Sequence, residues 1–470
     1  MCDRKLQLHT SLLLSLVRMK NILLLFCCIL LATCCAKRES VPEAIGPELT
    51  SSVPLNGAAE LTSGLTEIKL VFNQQVKVGN VSEILLNGQS VTEVDVSVNT
   101  VIIRVSLAVN TKYELTINQK AITNLQNTPL KNDIKLSFTT KTTEPDFTKL
   151  VTPNPSKEAQ NLMNYLESVY GKKTLSGTMA NVSWNIEEAD WVYAQTGKYP
   201  ALNCFDFIHH IYSPADWINY ENTDIVEKWW NNNGIVSAMW HWCVPKDMKV
   251  TNPTDFAFYT EGTNFDVSKI NDSNSPEYKL LIKDIDIISG YLKLLQSKNI
   301  PVIWRPLHEA AGNTNFYVGG TGWFWWGAKG AEPCKTLWKL MFDRMGNYHK
   351  LNNLIWVWTS QGNDADWYPG DEYVDLIGRD LYPETNIHDS QLAEFNKIKS
   401  IIADKKMIAL SECGGIPSPD LMFQKGDTWL WFMPWYGDFT RNDKQNGAAY
   451  WQTVMNNAHV ITRDQVPSLK

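Results

Sequence analysis

The sequence predicts an α/β fold in which a (β/α)8 TIM barrel follows a small all-β sandwich. Two patterns in the 470-residue chain predict this division. All 19 tryptophans lie between Trp184 and Trp451. Apolar residues alternate with a period of two in the N-terminal part, whereas strand-like and helix-like stretches alternate in the C-terminal part. A chain of this length also favours two domains over a single hydrophobic core.

Residues 1–35 are predicted to be a leader that takes no part in the fold. Lys20 precedes an apolar run over residues 22–32, a pattern that is typical of a signal peptide and too short for a transmembrane helix. The run ends in Leu31-Ala32-Thr33-Cys34, which resembles a bacterial lipobox with a threonine where Gly or Ala is usual. The resemblance implies a lipid anchor in the membrane and an exported outer-membrane lipoprotein, at the cell surface or in the periplasm. An ordinary signal peptide is the alternative.

Residues 41–140 are predicted to form the sandwich, because short runs alternate between apolar and polar residues. These runs cover residues 68–72, 94–98, 113–117 and 136–138. Asn87-Gly88 favours a hairpin turn. The strand spacing and the closing run, Leu136 to Thr140, resemble bacterial immunoglobulin-like domains. We expect a spacer rather than a carbohydrate-binding module, since the aromatic residues fall mostly on inward positions.

Residues 141–155 are rich in Thr, Pro and Lys, which indicates an extended linker. Residues 156–470 are predicted to form the barrel, because short apolar runs alternate there with amphipathic helical stretches. Eight such runs in this length favour a closed barrel over an open sheet. The runs are Lys173–Gly177, Tyr199–Phe207, Ile235–Trp242, Pro301–Glu309, Asn353–Ser360, Val374–Tyr382, Lys406–Glu412 and Trp429–Trp435.

The composition argues against several kinds of partner. A formal net charge of -7 and a pI near 5.7 give no electrostatic footprint for nucleic acid. The four cysteines beyond the leader have neither metal-ligand nor redox spacing. His308-Glu309 begins like a zinc-protease motif, but Gly312 stands where the second histidine ligand is required. We therefore expect no nucleic-acid partner, no metal and no cofactor.

Two carboxylates stand at the ends of predicted barrel strands, where the catalytic groups of this fold lie. Glu309 ends the fourth run and Glu412 ends the seventh. One glutamate at a strand end is more often an ion-pairing residue. A pair fits a retaining glycosidase, in which one carboxyl protonates the leaving oxygen and the other, about 5 Å away, attacks the anomeric carbon. The pair therefore predicts a glycoside hydrolase.

Several motifs resemble glycoside hydrolase family 26, in order along residues 156–470. They are Thr196 to Ala201, Trp304 to Glu309, Trp323 to Gly327, Trp367 to Asp371 and Gly378 to Tyr382. The resemblance implies an endo-β-1,4-mannanase that acts on mannan, glucomannan or galactomannan. Hydrolysis of β-1,3-xylan or mixed-linkage β-glucan is the alternative within the family. A glycan-binding lipoprotein without catalytic activity is the alternative from another class.

The resemblance also implies roles for individual residues. It makes Glu309 the acid/base and Glu412 the nucleophile. It places His308 against the sugar at the point of cleavage. Tyr382 would donate a hydrogen bond to the nucleophile. We expect activity to require both carboxylates and no cofactor.

Further site residues are expected from their places in the predicted strands. Arg305 precedes Glu309 by four residues, hence on the same strand face, and is expected to be a supporting cation. His241 and Asp380 lie near the ends of the third and sixth runs and are expected to hydrogen-bond sugar hydroxyls. A single such histidine is otherwise more often structural.

Three tryptophans are expected to pack against sugar rings, because the C–H face of a pyranose packs on an indole ring. They are Trp323, Trp431 and Trp435. The segment 313–321 follows the predicted acid and resembles an insertion relative to the family. It is expected to border the subsites that hold the leaving part of the chain, with the alternative of a surface excursion.

Overall fold

The structure is a computed structural model that describes residues 45–61, 63–141, 146–181, 184–210, 218–312, 321–402 and 404–470. The predicted leader and its lipobox lie outside the described residues. The chain divides into two compact units: the first ends at residue 140, and the second holds residues 61–63 and 141–470. Within the described residues no helix is long and apolar enough to cross a membrane.

The N-terminal unit is built from antiparallel strands, as the alternating pattern predicts. Its strands are β1 (Leu49–Val53), β2 (Ala58–Leu61), β3 (Gly64–Phe72), β4 (Val76–Val78), β5 (Ile84–Leu86), β6 (Gln89–Ser90), β7 (Glu93–Ser97), β8 (Thr100–Leu107), β9 (Lys112–Ile117), β10 (Ile122–Asn124) and β11 (Ile134–Thr140). They form sheets in the orders β1-β3-β8-β7, β2-β11-β9-β5-β6 and β10-β4. This arrangement confirms the predicted all-β sandwich.

Local sequence explains the details of this unit. Asn87 and Gly88 have φ angles of 49° and 78° and join β5 to β6, because a two-residue hairpin turn of this type requires positive φ at both positions. Ile68 and Leu70 are buried on β3 as predicted. The predicted half-buried strand over 94–98 forms at a sheet edge, where Val96 is 40% exposed. An edge strand has only one neighbour to cover its side chains.

The second unit is a closed barrel of eight parallel strands. They are β12 (Thr174–Met179), β13 (Leu202–Asp206), β14 (Ile235–Met239), β17 (Val302–Arg305), β18 (Leu354–Ser360), β19 (Leu376–Leu381), β20 (Met407–Cys413) and β21 (Trp431–Pro434). Each pairs with the next, and the eighth pairs with the first. Every predicted run overlaps one of these strands, which confirms the predicted barrel.

Helices and short strands complete the described part of this unit. The helices are α1 (Lys157–Val169), α2 (Glu187–Thr196), α3 (Asp224–Asn231), α4 (Pro276–Gln296), α5 (Ala331–Phe342), α6 (Leu392–Ile401), α7 (Pro419–Lys425), α8 (Asp438–Arg441) and α9 (Ala448–Met455). The short strands are β15 (Val244–Pro245) and β16 (Phe256–Ala257), which form a hairpin, and β22 (Val460–Ile461), which lies beside β12. The helix α4 illustrates a local start signal, because the Ser275 hydroxyl accepts the Tyr278 N–H.

The last part of the predicted linker is attached to the barrel. The Val151 N–H donates to the Asp375 carboxylate over 2.7 Å, and the Thr152 hydroxyl donates to the Leu354 carbonyl over 2.6 Å. Thr152 is buried. Residues 151 and 152 therefore belong structurally to the barrel, although their composition is that of a connector.

Candidate active site

Three carboxylates meet at the carboxyl ends of the barrel strands. One oxygen each from Glu309, Asp380 and Glu412 lies within 4.8 Å of the other two. Asp380 and Glu412 are paired across β19 and β20 after a register shift in which Ser411 is the extra residue. A bulge of this kind changes which side chains face the site. The distance between Glu309 and Glu412 fits the spacing of about 5–5.5 Å of retaining glycosidases and not the wider spacing of inverting ones.

The backbone that carries Glu309 departs from the predicted strand. β17 ends at Arg305, because Pro306 has no N–H to donate to a neighbouring strand. Leu307 and Glu309 then adopt φ angles of 49° and 51°. Left-handed conformations of non-glycine residues cost on the order of 1–3 kcal/mol each and cluster at functional sites. Glu309 therefore lies on a strained turn beyond the strand rather than on its last residue.

Arg305 joins two of the carboxylates. Its guanidinium is buried and donates to Asp380 Oδ2 over 3.0 Å and to Glu412 Oε1 in direct contact. Burial opposes the charge, but Asp380 and Glu412 hold the pKa of Arg305 above its ordinary value. The three carboxylate oxygens are close enough to share a cation, and this guanidinium supplies positive charge there. The predicted supporting cation thus lies inside the cluster.

Glu412 is held at both of its oxygens. Oε1 accepts from Arg305, and Oε2 accepts the Tyr382 hydroxyl over 2.8 Å. Burial and then the charge of Asp380 raise the pKa of Glu412 to about 7, although Arg305 and the Tyr382 hydrogen bond oppose that rise. Two donors on one carboxylate stabilise its ionised form. The phenol ring of Tyr382 remains 41% exposed while its hydroxyl contacts Glu412.

Glu309 has a different electrostatic environment from Glu412. Its pKa is raised well above the ordinary value by burial first, and then by the charges of Asp380 and Glu412. Arg305 and Arg379 lower it as further charges. A carboxylic acid that retains its proton near neutral pH is what a general acid requires. The two glutamates are therefore suited to different roles.

Asp380 has no surface left for a sugar. Its Oδ2 accepts from Arg305 and its Oδ1 accepts from Ser411 over 2.7 Å, and none of its side-chain surface is accessible. This corrects the expectation that Asp380 hydrogen-bonds a sugar hydroxyl. Its carboxylate instead orients Arg305 and adds negative charge beside both glutamates.

The two predicted histidines lie against each other. His241 follows β14, and its ring centroid is 4.5 Å from that of His308. Burial, and then the charges of His241 and Arg305, lower the pKa of His308 well below its ordinary value, so its ring is neutral. His308 Nδ1 is buried and has no hydrogen-bond partner among the described residues. The neutral His308 ring thus lies beside His241 with an unpaired nitrogen that has no accessible surface.

The three predicted tryptophans have different surroundings. Trp435 follows β21, is half-buried, and lies 5.8 Å from the His241 ring, at the site. Trp323 is half-buried and packs on Gly312, where an added Cβ would lie 2.3 Å from the indole. Trp431 is buried at the first residue of β21, paired with Leu175. This corrects the expectation for Trp431, because the start of a parallel strand is the end opposite to the site.

Residues 313–320 of the predicted insertion lie outside the described residues. Near Glu309 the described chain presents an aromatic group that no sequence motif indicates. Tyr259 is 49% exposed, stacks on Phe324 at 5.5 Å, and has its pKa raised by burial and then by the charge of Glu309. No strand pattern marks Tyr259, because it lies in the long connection between β16 and α4.

Asp206 is a second residue that was missed. It is the last residue of β13, is buried, and accepts from His241. The same rule that selected Glu309 and Glu412 applies to it, since Asp206 is the polar residue near the end of the second apolar run. Asp206 was not predicted as a site residue because it lies in none of the motifs that resemble the family.

A (β/α)8 barrel with a close pair of glutamates after its fourth and seventh strands defines the architecture of a retaining glycosidase. Comparison with known sequences agrees with this class. The chain belongs to glycosyl hydrolase family 26, whose model matches residues 151–465. A bacterial Ig-like domain model matches residues 43–140.

Individual relatives resemble the barrel. A mannan endo-1,4-β-mannosidase of Thermothelomyces thermophilus is 40% identical over 320 residues, which are 67% of this chain and 62% of that protein. The family 26 domain of an endo-β-mannanase/endo-β-glucanase from Prevotella bryantii is 39% identical, with a TM-score of 0.62 over 68% of this chain and 99% of that one. A β-mannanase from a symbiotic protist of the termite Reticulitermes speratus, solved with a gluco-manno-oligosaccharide, is 35% identical. Its TM-score is 0.60, and the match covers 68% of this chain and 98% of that one.

Proposed function

We propose that the protein is a retaining endo-β-1,4-mannanase. The observation that carries this proposal is the separation of at most 4.8 Å between carboxylate oxygens of Glu309 and Glu412. That spacing leaves no room for a water between the sugar and the second carboxylate, so direct attack by a carboxylate is favoured. The relatives named as mannan endo-1,4-β-mannosidases support mannan, glucomannan or galactomannan as the substrate.

The two glutamates act in sequence in this proposal. Glu309 gives its proton to the glycosidic oxygen as the C–O bond breaks, and a Glu412 oxygen bonds to the anomeric carbon. The leaving chain departs with a new hydroxyl. Ionised Glu309 then takes a proton from water, and the water oxygen displaces Glu412 from the anomeric carbon. Two inversions at one carbon retain its configuration.

The surrounding residues prepare these steps. Arg305 and Tyr382 hold the two oxygens of Glu412, which fixes the nucleophile and favours its ionised form. Neutral His308 lies beside His241 and is proposed to pack against the sugar at the cleavage point. Trp435 offers a half-buried indole face for a sugar ring.

A panel of polysaccharides tests the proposed activity. The protein should generate new reducing ends from mannan, glucomannan and galactomannan, and the viscosity of galactomannan should fall early, as internal cleavage requires. NMR of the first product should show the β-anomer. Faster cleavage of β-1,3-xylan or mixed-linkage β-glucan would replace the proposed substrate. Glycan binding without reducing ends from any polymer would support the non-catalytic alternative.

Replacing each glutamate separates the two roles. Glu412→Ala should abolish turnover on every substrate, since no other group can form the glycosyl ester. Glu309→Ala should lose activity on mannan but retain it on an activated aryl β-mannoside, whose leaving group needs little protonation. An equal loss on both substrates contradicts the assignment of Glu309 as the acid.

We also propose export as a lipoprotein, with the Ig-like domain as a spacer between a membrane anchor and the barrel. The lipobox-like Leu31-Ala32-Thr33-Cys34 supports this location. In a bacterial host fed labelled fatty acid, Cys34→Ser should abolish labelling of the protein. Cys35→Ser is the matched control and should leave it. Equal labelling of both variants contradicts the proposed anchor.

A further inference from the structure

Asp206 contacts His241 at two points. Its Oδ2 lies 2.6 Å from His241 Nδ1, and its Oδ1 accepts the backbone N–H of His241 over 3.1 Å. Asp206 is 2% exposed at the end of the second barrel strand, beside β14, which precedes His241. The two carboxylate oxygens therefore hold the same histidine, one at its ring and the other at its backbone.

This contact determines where the ring proton lies. An ionised carboxylate can only accept hydrogen bonds, so His241 Nδ1 must carry the proton that bridges the 2.6 Å separation. In the neutral ring the lone pair is then on Nε2. That atom has no hydrogen-bond partner among the described residues, and 9% of the His241 side chain remains accessible. His241 is thus prepared to accept a hydrogen bond at Nε2.

The surroundings of His241 place that acceptor at the reaction centre. Its ring contacts those of His308, Trp435, Phe258 and Phe324. The His241 ring centroid lies 4.5 Å from that of His308, which immediately precedes Glu309. A ring with the opposite tautomer, protonated at Nε2, would present a donor there instead of an acceptor.

We infer that Asp206 is a positioning residue that fixes His241 as the Nδ1–H tautomer, so that Nε2 accepts a hydroxyl of the sugar at the cleavage point. This inference rests on the proposed hydrolase function. Asp206 acts through His241 and does not itself touch the sugar. The residue at position 206 must supply two acceptors, one for the His241 ring and one for the His241 backbone N–H. The same requirement explains why an aspartate, rather than its amide, fits there.

Asp206→Asn tests this requirement with a change of one atom. An amide has one acceptor oxygen, so either the ring or the backbone N–H of His241 loses its partner. If the NH2 group faces Nδ1, the ring must carry its proton on Nε2. We expect a mixture of tautomers and a fall in kcat/KM on mannan of about 10- to 100-fold, the value of a hydrogen bond to a charged group. The melting temperature should show that the variant is folded.

Nitrogen-15 NMR of the histidine rings reads the tautomer without any substrate. In the neutral ring of wild-type His241, Nδ1 should carry the proton and Nε2 should be unprotonated. A wild-type ring protonated at Nε2 overturns the inference, whatever the variant does. This measurement also stands if Asp206→Asn does not fold.

A double-mutant cycle separates positioning from a general structural role. If Asp206 acts through His241, Asp206→Asn should add no further loss of kcat/KM in a His241→Ala background. Full additivity overturns the inference. Asp427→Asn is the control, because Asp427 is buried and also accepts from a backbone N–H and a side chain, Gln391 and Ser390, but not from His241. It should lower stability and leave the His241 tautomer unchanged.

The two proposals fail differently in these experiments. Absence of mannan hydrolysis by the wild-type protein overturns the proposed function, and the NMR spectra then show only whether Asp206 sets the tautomer. Hydrolysis by the wild type together with an unchanged tautomer and rate in Asp206→Asn overturns the role of Asp206 alone.

Discussion

Arg305 and Glu412 form a buried ion pair across the barrel interior, between the fourth and seventh strands. Asp380 binds the same guanidinium from the sixth strand. One cation therefore balances two carboxylates, whereas Glu309 makes no ion pair among the described residues, and burial and then the charges of Asp380 and Glu412 raise its pKa. Burial raises the pKa of both glutamates, and the direct contact with Arg305 opposes that rise at Glu412.

Removing the cation should be costly in both stability and rate. Arg305→Met leaves Asp380 and Glu412 buried without their partner, which we expect to lower the free energy of unfolding by about 3–5 kcal/mol. Activity on mannan should fall by at least about 100-fold. Denaturant unfolding and kcat measure the two effects.

Arg344→Met provides the control for this substitution. Arg344 pairs with Asp286 at a partly exposed position. Loss of that pair should cost about 0–1 kcal/mol and leave kcat unchanged. If both variants lost the same stability, burial of the Arg305 cluster would not be the cause.

Tyr382→Phe removes one hydrogen bond from Glu412, the proposed nucleophile. The Tyr382 hydroxyl lowers the pKa of Glu412, so its loss raises that pKa. The acidic limb of the rate profile, where Glu412 takes up a proton, should move to higher pH, and kcat should fall by about 10- to 100-fold. Tyr450→Phe, which loses a bond to the Ile416 carbonyl, should not move that limb. An unmoved limb in Tyr382→Phe contradicts the assignment.

Glu309 should determine the alkaline limb. Its raised pKa keeps it protonated near neutral pH, and activity is lost as the pH rises through that pKa. The same raised value means that the folded state binds this proton more tightly than the unfolded state, so the stability contribution is present at low pH and lost as the pH rises.

Glu309→Gln removes both effects. On an activated aryl β-mannoside its rate should lack the alkaline limb, and its melting temperature should fall less than that of the wild type as the pH rises. A limb of unchanged position in this variant would mean that another group titrates.

The barrel strands and the proximity of the two glutamates could be predicted from the sequence. Burial on both faces gives continuous apolar runs, and the residues at the carboxyl ends of these runs meet at one end of the barrel. Trp431 shows the limit of that rule. It belongs to an apolar run but begins the strand, and only the observed strand ends show which side of the barrel it occupies. Asp380 was placed at the right strand end, yet its partners Arg305 and Ser411 come from other strands, and no local pattern encodes such pairings.

The amino-acid composition also did not locate the residue at which the barrel begins. The linker composition predicts a boundary at 156, but Val151 and Thr152 bond to Asp375 and Leu354. A chain that starts at residue 146 keeps both hydrogen bonds. A chain that starts at residue 156 leaves one oxygen of the buried Asp375 carboxylate without its donor, and the buried Leu354 carbonyl without the Thr152 hydroxyl. Each loss should cost about 1–3 kcal/mol.

The difference in stability between the two truncated chains should depend on pH. Burial raises the pKa of Asp375 to about 7, while the N–H groups of Trp356 and Val151 lower it. The contribution of Asp375 to stability is therefore present at low pH and lost as the pH rises through about 7. Since the Val151 N–H favours the ionised form, its removal should cost most above that pH. The chain that starts at 156 should melt lower than the chain that starts at 146, by a margin that widens from pH 5 to pH 9, a range of about two pH units on either side of that value.

Asp375→Asn in both chains is the control, because an amide does not titrate. With this substitution in each truncation, the margin between their melting temperatures should be independent of pH. Hydrolysis of mannan oligosaccharides by the chain that starts at 146 should match that of the full chain, since every catalytic candidate lies beyond that residue. Equal melting temperatures for the two unsubstituted truncations at all pH values would mean that residues 151 and 152 do not stabilise the barrel.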